Sequence, residues 1–331
     1  MRNSGSKARL GEFELIAQLF APLATAPGAL HLTDDAAIAT LPSGHDLVLT
    51  ADALIEGVHF FANDPPELIA KKALRVNLSD LAAKGCVPSG YLLTLSLPQS
   101  IDRPWLQAFA SGLAEDQREF GVSLHGGDTT ATPGPLSIAI TAFGHVARGR
   151  MLRRSGARPG DLVYVSGTIG DAGGGLACLK GEGGTLKPPD RDYLVCRFQQ
   201  PEPRLALGQA LIEVASASLD VSDGLVADLG HIAETSSVRV VVDAGQIPLS
   251  PALQALWGSS HQAIVRAATA GDDYEIAFTA ASANRGQVEA AAAAAGVALS
   301  QIGRCEAGKG VALLGENGLE IPVSRPGYVH F

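Results

Sequence analysis

"PPELIAKKALRVNLSDLAAKGCVPSGYLLTLSLP", residues 65–98, decides how the chain around it must be read. Its first part spaces apolar residues as a helix does, opening on proline and closing at Gly85. Its last part, "GYLLTLSLP" (90–98), is a short apolar run ended by proline, the mark of a strand. The same alternation extends outward. "RPWLQAFASGLAEDQREFG" (103–121) reads as a second helix and "LSIAITAFGHV" (136–146) as a second strand. Upstream, "EFELIAQLF" (12–20) has helical spacing, and "DLVLTADAL" (46–54) begins as a strand that is expected to stop at Asp52.

Near 148–160 the pattern breaks into arginine, glycine and proline, "RGRMLRRSGARPGD", which places a domain boundary near residue 149. The expected domains are 1–149, with residues 1–9 a loose tail, and 150–331. The second half resumes with the strand "DLVYVSG", a glycine-rich turn "GTIGDAGGG" and a helix from about Leu176. Helices at 204–216, 224–236 and the alanine-rich 288–295 follow, with strands at "VRVVVDA" and "YEIAFTA". Strands alternating with helices in both halves predict an α/β (α+β) fold in two layered domains.

Of the 331 residues 46% are hydrophobic and 18% charged, enough for large cores and too apolar for disorder. The formal charge of −9, with no basic patch, argues against nucleic acid or an anionic membrane as partner. The N-terminal stretch lacks the apolar core of a secretion signal or a membrane span. Cys86, Cys178, Cys196 and Cys305 are scattered, with no metal-binding spacing, and are read as reduced thiols of a cytoplasmic protein.

"HGGDTT" (125–130) sets paired glycines before an acid and two hydroxyls, which suits close backbone approach to a phosphate or its metal, or a plain turn. Acids recur in such settings: Asp34 and Asp35 in "LTDDAAI", Asp52 in "LTADAL", Asp80 in "NLSDLAAKG", and Asp220 and Asp223 in "LDVSDGL". "GDDYE" adds Asp272, Asp273 and Glu275. Any one alone is an ordinary turn or capping residue. Together, flanked by Ser, Thr and Gly and without basic partners, they point to Mg²⁺, a hard cation that takes oxygen ligands. Asn77, Asp80 and Lys84 share one helical face, facing either solvent or a site. Arg153 and Arg154 are phosphate clamps or, on their residues alone, solvated loop charges. His59 is either ligand-facing or packed. "GRCEAGKG" (303–310) resembles a P-loop, but Gly310 replaces the required hydroxyl and the flanks read strand–turn–strand, so it is rejected. "GTIGDAGGG" lacks dinucleotide spacing. No nucleophile stands with a base, so no covalent catalyst is expected.

In series, "GEFELIAQLF", "DDAAI", "TADALIEGVHF", "KKALRVNLSDLAAKG", "HGGDTT", "RRSGARPGD", "VSGTIGD", "LDVSDGL", "GDDYE" and "GYVHF" resemble the thiamine-monophosphate kinase family, within the aminoimidazole-ribonucleotide-synthetase-like ATP-binding superfamily. The resemblance runs from residue 11 to 331. It implies an N-terminal mixed sheet with helices, which binds ATP and Mg²⁺ and dimerises, and a C-terminal α/β sandwich that completes the site. The implied reaction is direct in-line transfer from ATP to thiamine monophosphate, giving thiamine diphosphate, in a homodimer using several Mg²⁺ ions. By position, Asp35, Thr50, Asp52, Asp80, Asp128, Asp220 and Asp223 resemble the family's Mg²⁺ ligands. Gly127, Asp128, Arg154 and Ser222 resemble its ATP contacts, and His59, Asp272 and Tyr328 its thiamine-phosphate pocket.

Three departures stand against the family pattern. "HLT" (31–33) replaces Gly-Ile-Gly, Ala51 replaces a hydroxyl residue, and Asp272 shortens a glutamate. They leave open a non-catalytic nucleotide-binding homologue. Another ATP-using enzyme of the superfamily is disfavoured, because the reactive N-terminal cysteine of selenophosphate synthetases and the terminal cysteine of the hydrogenase-maturation member have no counterpart here.

Overall fold

The computed structural model describes residues 12–184 and 186–329; the expected tail at 1–9 lies outside the described residues. The chain groups into two compact units. One runs to Asn77 and from Pro88 to His145; the other takes Leu78–Val87 and continues from Val146.

In the first unit, helical turns α1 (Glu12–Leu15) lead through Ile16–Phe20 to strand β1 (His45–Ile55) and helix α2 (Pro66–Ala83). Then come β2 (Val87–Leu97), α3 (Arg103–Phe120), β3 (Ser123–Ala131) and β4 (Ser137–Ala147). The four strands form one sheet in the order β1-β4-β2-β3, with β2 and β3 parallel. Leu74 of α2, Phe109 and Leu113 of α3, and Leu95, Ile138 and Ile140 of the sheet are buried together as its core. The Arg75 guanidinium donates twice to Asp116, from Nε and Nη2, each at 2.8 Å, tying α2 to α3. Side chains alternate across a strand. On β1 this buries Val48 and Leu54 and leaves Leu47 and Leu49 exposed, so the sheet keeps an open apolar face.

The second unit runs β5 (Asp161–Ser166), α4 (Asp171–Leu179), α5 (Pro188–Gln199), α6 (Leu205–Ala210), β6 (Ala217–Asp220) and α7 (Leu225–Ser236). It continues with β7 (Arg239–Asp243), α8 (Pro251–Trp257), α9 (His261–Ala268), β8 (Ile276–Ala281), α10 (Arg285–Ala295), β9 (Leu299–Glu306) and β10 (Gly310–Leu314). Its six strands are ordered β10-β7-β9-β5-β8-β6, antiparallel except where β10 meets β7. Val163, Val165 and Leu219 pack against Leu225, Leu229 and Ile232 of α7. From the opposite face Tyr164, Ile276 and Phe278 pack against Leu207 of α6, Val288 of α10 and the end of α2 at Ala82 and Ala83. Helices on both faces make the α/β sandwich that the family resemblance implies.

Two local expectations are corrected, and one of the two readings of "HGGDTT" falls away. Strand β1 does not stop at Asp52 but continues to Ile55, because the alternation persists through buried Leu54. "HGGDTT" is no turn; it lies within β3, where pairing with β2 sets Gly127 opposite Leu93 and Asp128 opposite Thr94. Helix α4 starts at Asp171 rather than Leu176, taking "DAGGG" into the helix. Its first amides are satisfied from far along the chain: Asp273 accepts from the N–H groups of Gly170 and Ala172.

Candidate functional site

In the first unit, a cavity of about 660 Å³ joins two motifs that lie ninety residues apart. Asp34 and Asp35 form one part of its wall, and His125, Gly126, Gly127 and Asp128 of β3 another. Gly127 permits this approach: its φ is 153°, and a Cβ there would stand 1.8 Å from the Leu93 carbonyl oxygen. Only glycine fits. Asp34 Oδ1 accepts the Asp35 N–H at 2.8 Å, which fixes the turn. The ring of His125 turns its Nδ1 to the Ser123 carbonyl at 3.0 Å. Among the described residues no Lys or Arg lines this cavity, and its acidic side chains there are Asp34, Asp35 and Asp128.

Thr50 and Asp52 sit on β1 with the inward alternation, and Ala51 lies on the outward face with Leu47 and Leu49. The Asp52 N–H donates to Asn77 Oδ1 at 3.1 Å, and Asn77 Nδ2 donates to the Ala73 carbonyl. Asn77 is thus a buried brace between β1 and α2. The sheet does not bring Thr50 and Asp52 beside Asp128, because β1 and β3 are its opposite edges. His59 accepts the Ile55 N–H on Nδ1 at 3.0 Å, and its carbonyl accepts from Lys72 Nζ.

In the second unit, Asp220 at the end of β6 is buried and accepts from Ser79 Oγ at 2.7 Å. Burial, and next the nearby Asp80 carboxylate, push its pKa up. Lys84 Nζ donates to the Ser218 carbonyl at 2.8 Å. Burial lowers the Lys84 pKa most; Asp220 opposes that shift and the Arg154 charge adds to it. Asp80, Lys84, Arg154 and Asp220 therefore form one electrostatic group. Arg154 itself is exposed, and its loop is pinned through backbone: the Arg153 carbonyl accepts the Ser218 N–H, and that of Arg154 accepts from Ser236 Oγ.

A third group surrounds the loop after β6. The Ser222 carbonyl accepts the Asp272 N–H at 2.8 Å and the Asp223 carbonyl accepts the Tyr328 N–H at 2.9 Å. Four expected site residues from three motifs thus converge. Within "GDDYE" the acids separate. Asp272 is half-buried, Asp273 caps α4, and Glu275 is buried beneath Arg197, Arg204 and Ser166 Oγ. Sequence reasoning missed Asp228. Its Oδ2 accepts the N–H groups of Ser222, Asp223 and Gly224, and burial, with Asp223 next, pushes its pKa up to about 7. The signal was an acid in the first turn of a helix just after "SDG".

Among the described residues no three His, Cys, Asp or Glu side chains converge into a ready-made metal cage. A cation such as Mg²⁺ needs none, since it keeps several waters and binds through one or two carboxylates and substrate phosphates. The oxygen-only donors Asp34, Asp35 and Asp128 of the first unit and the Asp80–Asp220 pair of the second fit such an ion.

Family models match in tandem. AIR synthase related protein, N-terminal domain, matches residues 33–146, and the C-terminal domain model matches 158–316. The chain is 44% identical over 324 residues to the thiamine-monophosphate kinase of Caulobacter vibrioides, covering 96% of this chain and 90% of that one. The solved thiamine-monophosphate kinase of Stenotrophomonas maltophilia superposes with a TM-score of 0.79 at 43% identity, over 85% of this chain and 89% of that one. AaThiL complexed with AMPPCP and TMP superposes with a TM-score of 0.78 at 31% identity, over 98% of this chain and all of its own.

Proposed function

The chain belongs to the thiamine-monophosphate kinases of the AIR synthase related family, and from that premise we infer which of its residues carry the reaction. The reaction is the ATP-dependent phosphorylation of thiamine monophosphate to thiamine diphosphate. The observation that carries the residue reading is the shared cavity of the "DDAA" and "HGGDTT" motifs.

Phosphoryl transfer needs positioning and charge neutralisation more than a covalent catalyst. Gly127 and Asp128 receive the nucleotide phosphates in the N-terminal domain to about residue 149, and Arg154 and Ser222 of the C-terminal domain add a cationic and a hydroxyl contact. His59, Asp272 and Tyr328 hold thiamine monophosphate, whose own phosphate is the acceptor in a direct in-line transfer. Asp35, Thr50, Asp52, Asp80, Asp128, Asp220 and Asp223 would hold Mg²⁺. Bound there, the ions would neutralise the phosphate charges that these acids alone would repel. The chain acts as a homodimer. The exposed Leu47, Leu49 and Leu92 on the first unit's sheet support that reading. A cytoplasmic setting is supported by four unpaired cysteines, three of them buried. No helix among the described residues is long and apolar enough to cross a membrane.

The test is a coupled assay of ATP, Mg²⁺ and thiamine monophosphate, following ADP and thiamine diphosphate together, with thiamine as control substrate. Equal amounts of both products, abolished by a chelator and restored by Mg²⁺, are expected. Nucleotide binding without product would instead favour a non-catalytic homologue.

A further inference from the structure

We propose that Asp228 is a positioning residue for this reaction: one of its carboxylate oxygens holds the loop on which Ser222, Asp223, Asp272 and Tyr328 converge. The proposal rests on the kinase reading of those four residues and adds to it a group that touches no substrate.

The loop between β6 and α7 is tied on both sides of its backbone. On one side, the N–H groups of Ser222, Asp223 and Gly224 donate to Asp228 Oδ2 at 3.0, 3.1 and 3.1 Å. On the other, the carbonyls of Val221, Ser222 and Asp223 accept the N–H groups of Tyr274, Asp272 and Tyr328 at 2.8, 2.8 and 2.9 Å. The Ser222–Asp223 peptide plane cannot turn without breaking a bond on each face. The neighbours stand close enough to exclude side chains: a Cβ on Gly271 would lie 2.6 Å from the Ser222 carbonyl oxygen, and one on Gly327 2.6 Å from that of Asp223.

Asp228 is 2% exposed, so in the folded chain its carboxylate and not bulk water meets these amides. Without it, three amides, that of Gly224 buried and those of Ser222 and Asp223 part-buried, would lose their acceptor, and an unpaired N–H shielded from water drives local rearrangement. The segment hydrogen-bonded to this loop is itself under tension, since Asp272 and Tyr274 hold left-handed φ values of 70° and 52°. Such backbone persists at working sites only where its surroundings over-determine it. An ordinary helix-capping acid would serve α7 alone. Asp228 instead takes the amides of the residues that precede α7 (Leu225–Ser236), two of which bear site side chains.

The experiment compares the full-length parent with Asp228→Ala, Asp228→Asn and a core control, Val240→Ala, from the buried face of β7. Amide hydrogen exchange over 222–224 is read without ligands, and kcat and both KM values are read with them. In Asp228→Ala, exchange over the loop is expected to quicken at least about tenfold, and kcat to fall on the order of 10²-fold, as a displaced constellation does. KM for thiamine monophosphate should rise with it. Asp228→Asn keeps a carbonyl acceptor and should recover most of kcat, while Val240→Ala lowers the melting temperature and leaves kcat unchanged. If Asp228→Ala does not fold, Asp228→Asn decides through the same readouts, with a smaller loss of kcat expected. A folded Asp228→Ala variant with parental exchange, or with kcat and KM within about twofold of the parent, would overturn the proposal, as would parental exchange over 222–224 in Asp228→Asn where only that variant folds. A parent without turnover would remove the kinase reading, and loop exchange alone would then decide whether Asp228 holds the loop.

Discussion

At Asp128 the backbone and the side chain have separate tasks. Gly127 lets β3 lie against the Leu93 carbonyl, and the next side chain then faces the cavity wall shared with Asp35. Asp128→Ala removes a carboxylate from an exposed position, so the fold should survive. ATP-dependent turnover should fall by at least about 10²-fold, as for loss of a preorganised electrostatic group; near-parental turnover would take Asp128 out of the site. The "HLT" departure has a physical counterpart a few residues from Asp35. Leu30, His31 and Leu32 have φ values of 50°, 52° and 56°, a left-handed run without glycine. L-residues are strained there by roughly 1–2 kcal/mol each. His31→Gly should therefore stabilise the chain by about 1 kcal/mol, read as a higher denaturant midpoint at unchanged slope. A lower midpoint would show that the His31 side chain contributes more than its backbone costs.

At the scale of elements, α2 and α3 are held by a charge pair rather than by apolar packing alone. Arg75 and Asp116 are 3% and 0% exposed in their side chains, and Arg75 also reaches the exposed Glu119 at 2.8 Å. Breaking a buried pair leaves one charge without its partner, which costs about 3–5 kcal/mol. Asp116→Ala should approach the lower figure, because Glu119 remains, and calorimetry should show the loss. A change under about 0.5 kcal/mol would mean that water or Glu119 takes over fully. The element boundaries were legible where the cue was local. Pro66, Gly85 and Gly121 bracket α2 and α3 much as the residues suggest. They were misread where the cue was distant: α4 begins at Asp171 because Asp273, a hundred residues later, satisfies its first amides. The short helices α5, α8 and α9 went unread, since they are stabilised by packing on one another through Leu194, Leu253 and Ala267 rather than by a long periodic run.

At the scale of the whole molecule, the buried acids couple stability to pH. Asp228 and Asp220 have folded pKa values raised above the ordinary carboxylate range, mainly by burial. The folded chain then binds more protons than the unfolded chain between that range and about 7, the value for Asp228. Unfolding stability must fall as pH rises through this window. Without metal, the melting temperature should therefore drop between pH 5 and pH 8, and added Mg²⁺ should restore more of it at pH 8 than at pH 5. A flat profile would show that these acids are not held protonated. A second expectation concerns copies of the chain. Thr50 and Asp52 stand on the sheet edge opposite Asp128, so a homodimer could complete the set by bringing edge strands of two copies together. Mixing inactive Asp52→Ala and Asp128→Ala chains should then restore about a quarter of parental activity, the share of sites expected from random pairing with one intact site per mixed dimer. No recovery after confirmed exchange of subunits would place both acids in one protomer's site.

By itself, the sequence determined the alternation of strands and helices, the glycine and proline stops, the acidic oxygen-rich motifs and their order along the chain. These depend on local propensity and spacing, which need no knowledge of neighbours. Only the tertiary structure decided that "HGGDTT" is a strand, since its glycines are extended by pairing with β2. The fold also decided which acids face a cavity and which are structural. Asp35 and Asp128 meet at a wall, whereas Asp273 and Glu275 of the same acidic motif as Asp272 are consumed by a helix cap and two arginines. An acid's role depends on which donors surround it, and in this chain those donors lie from one to more than a hundred residues away.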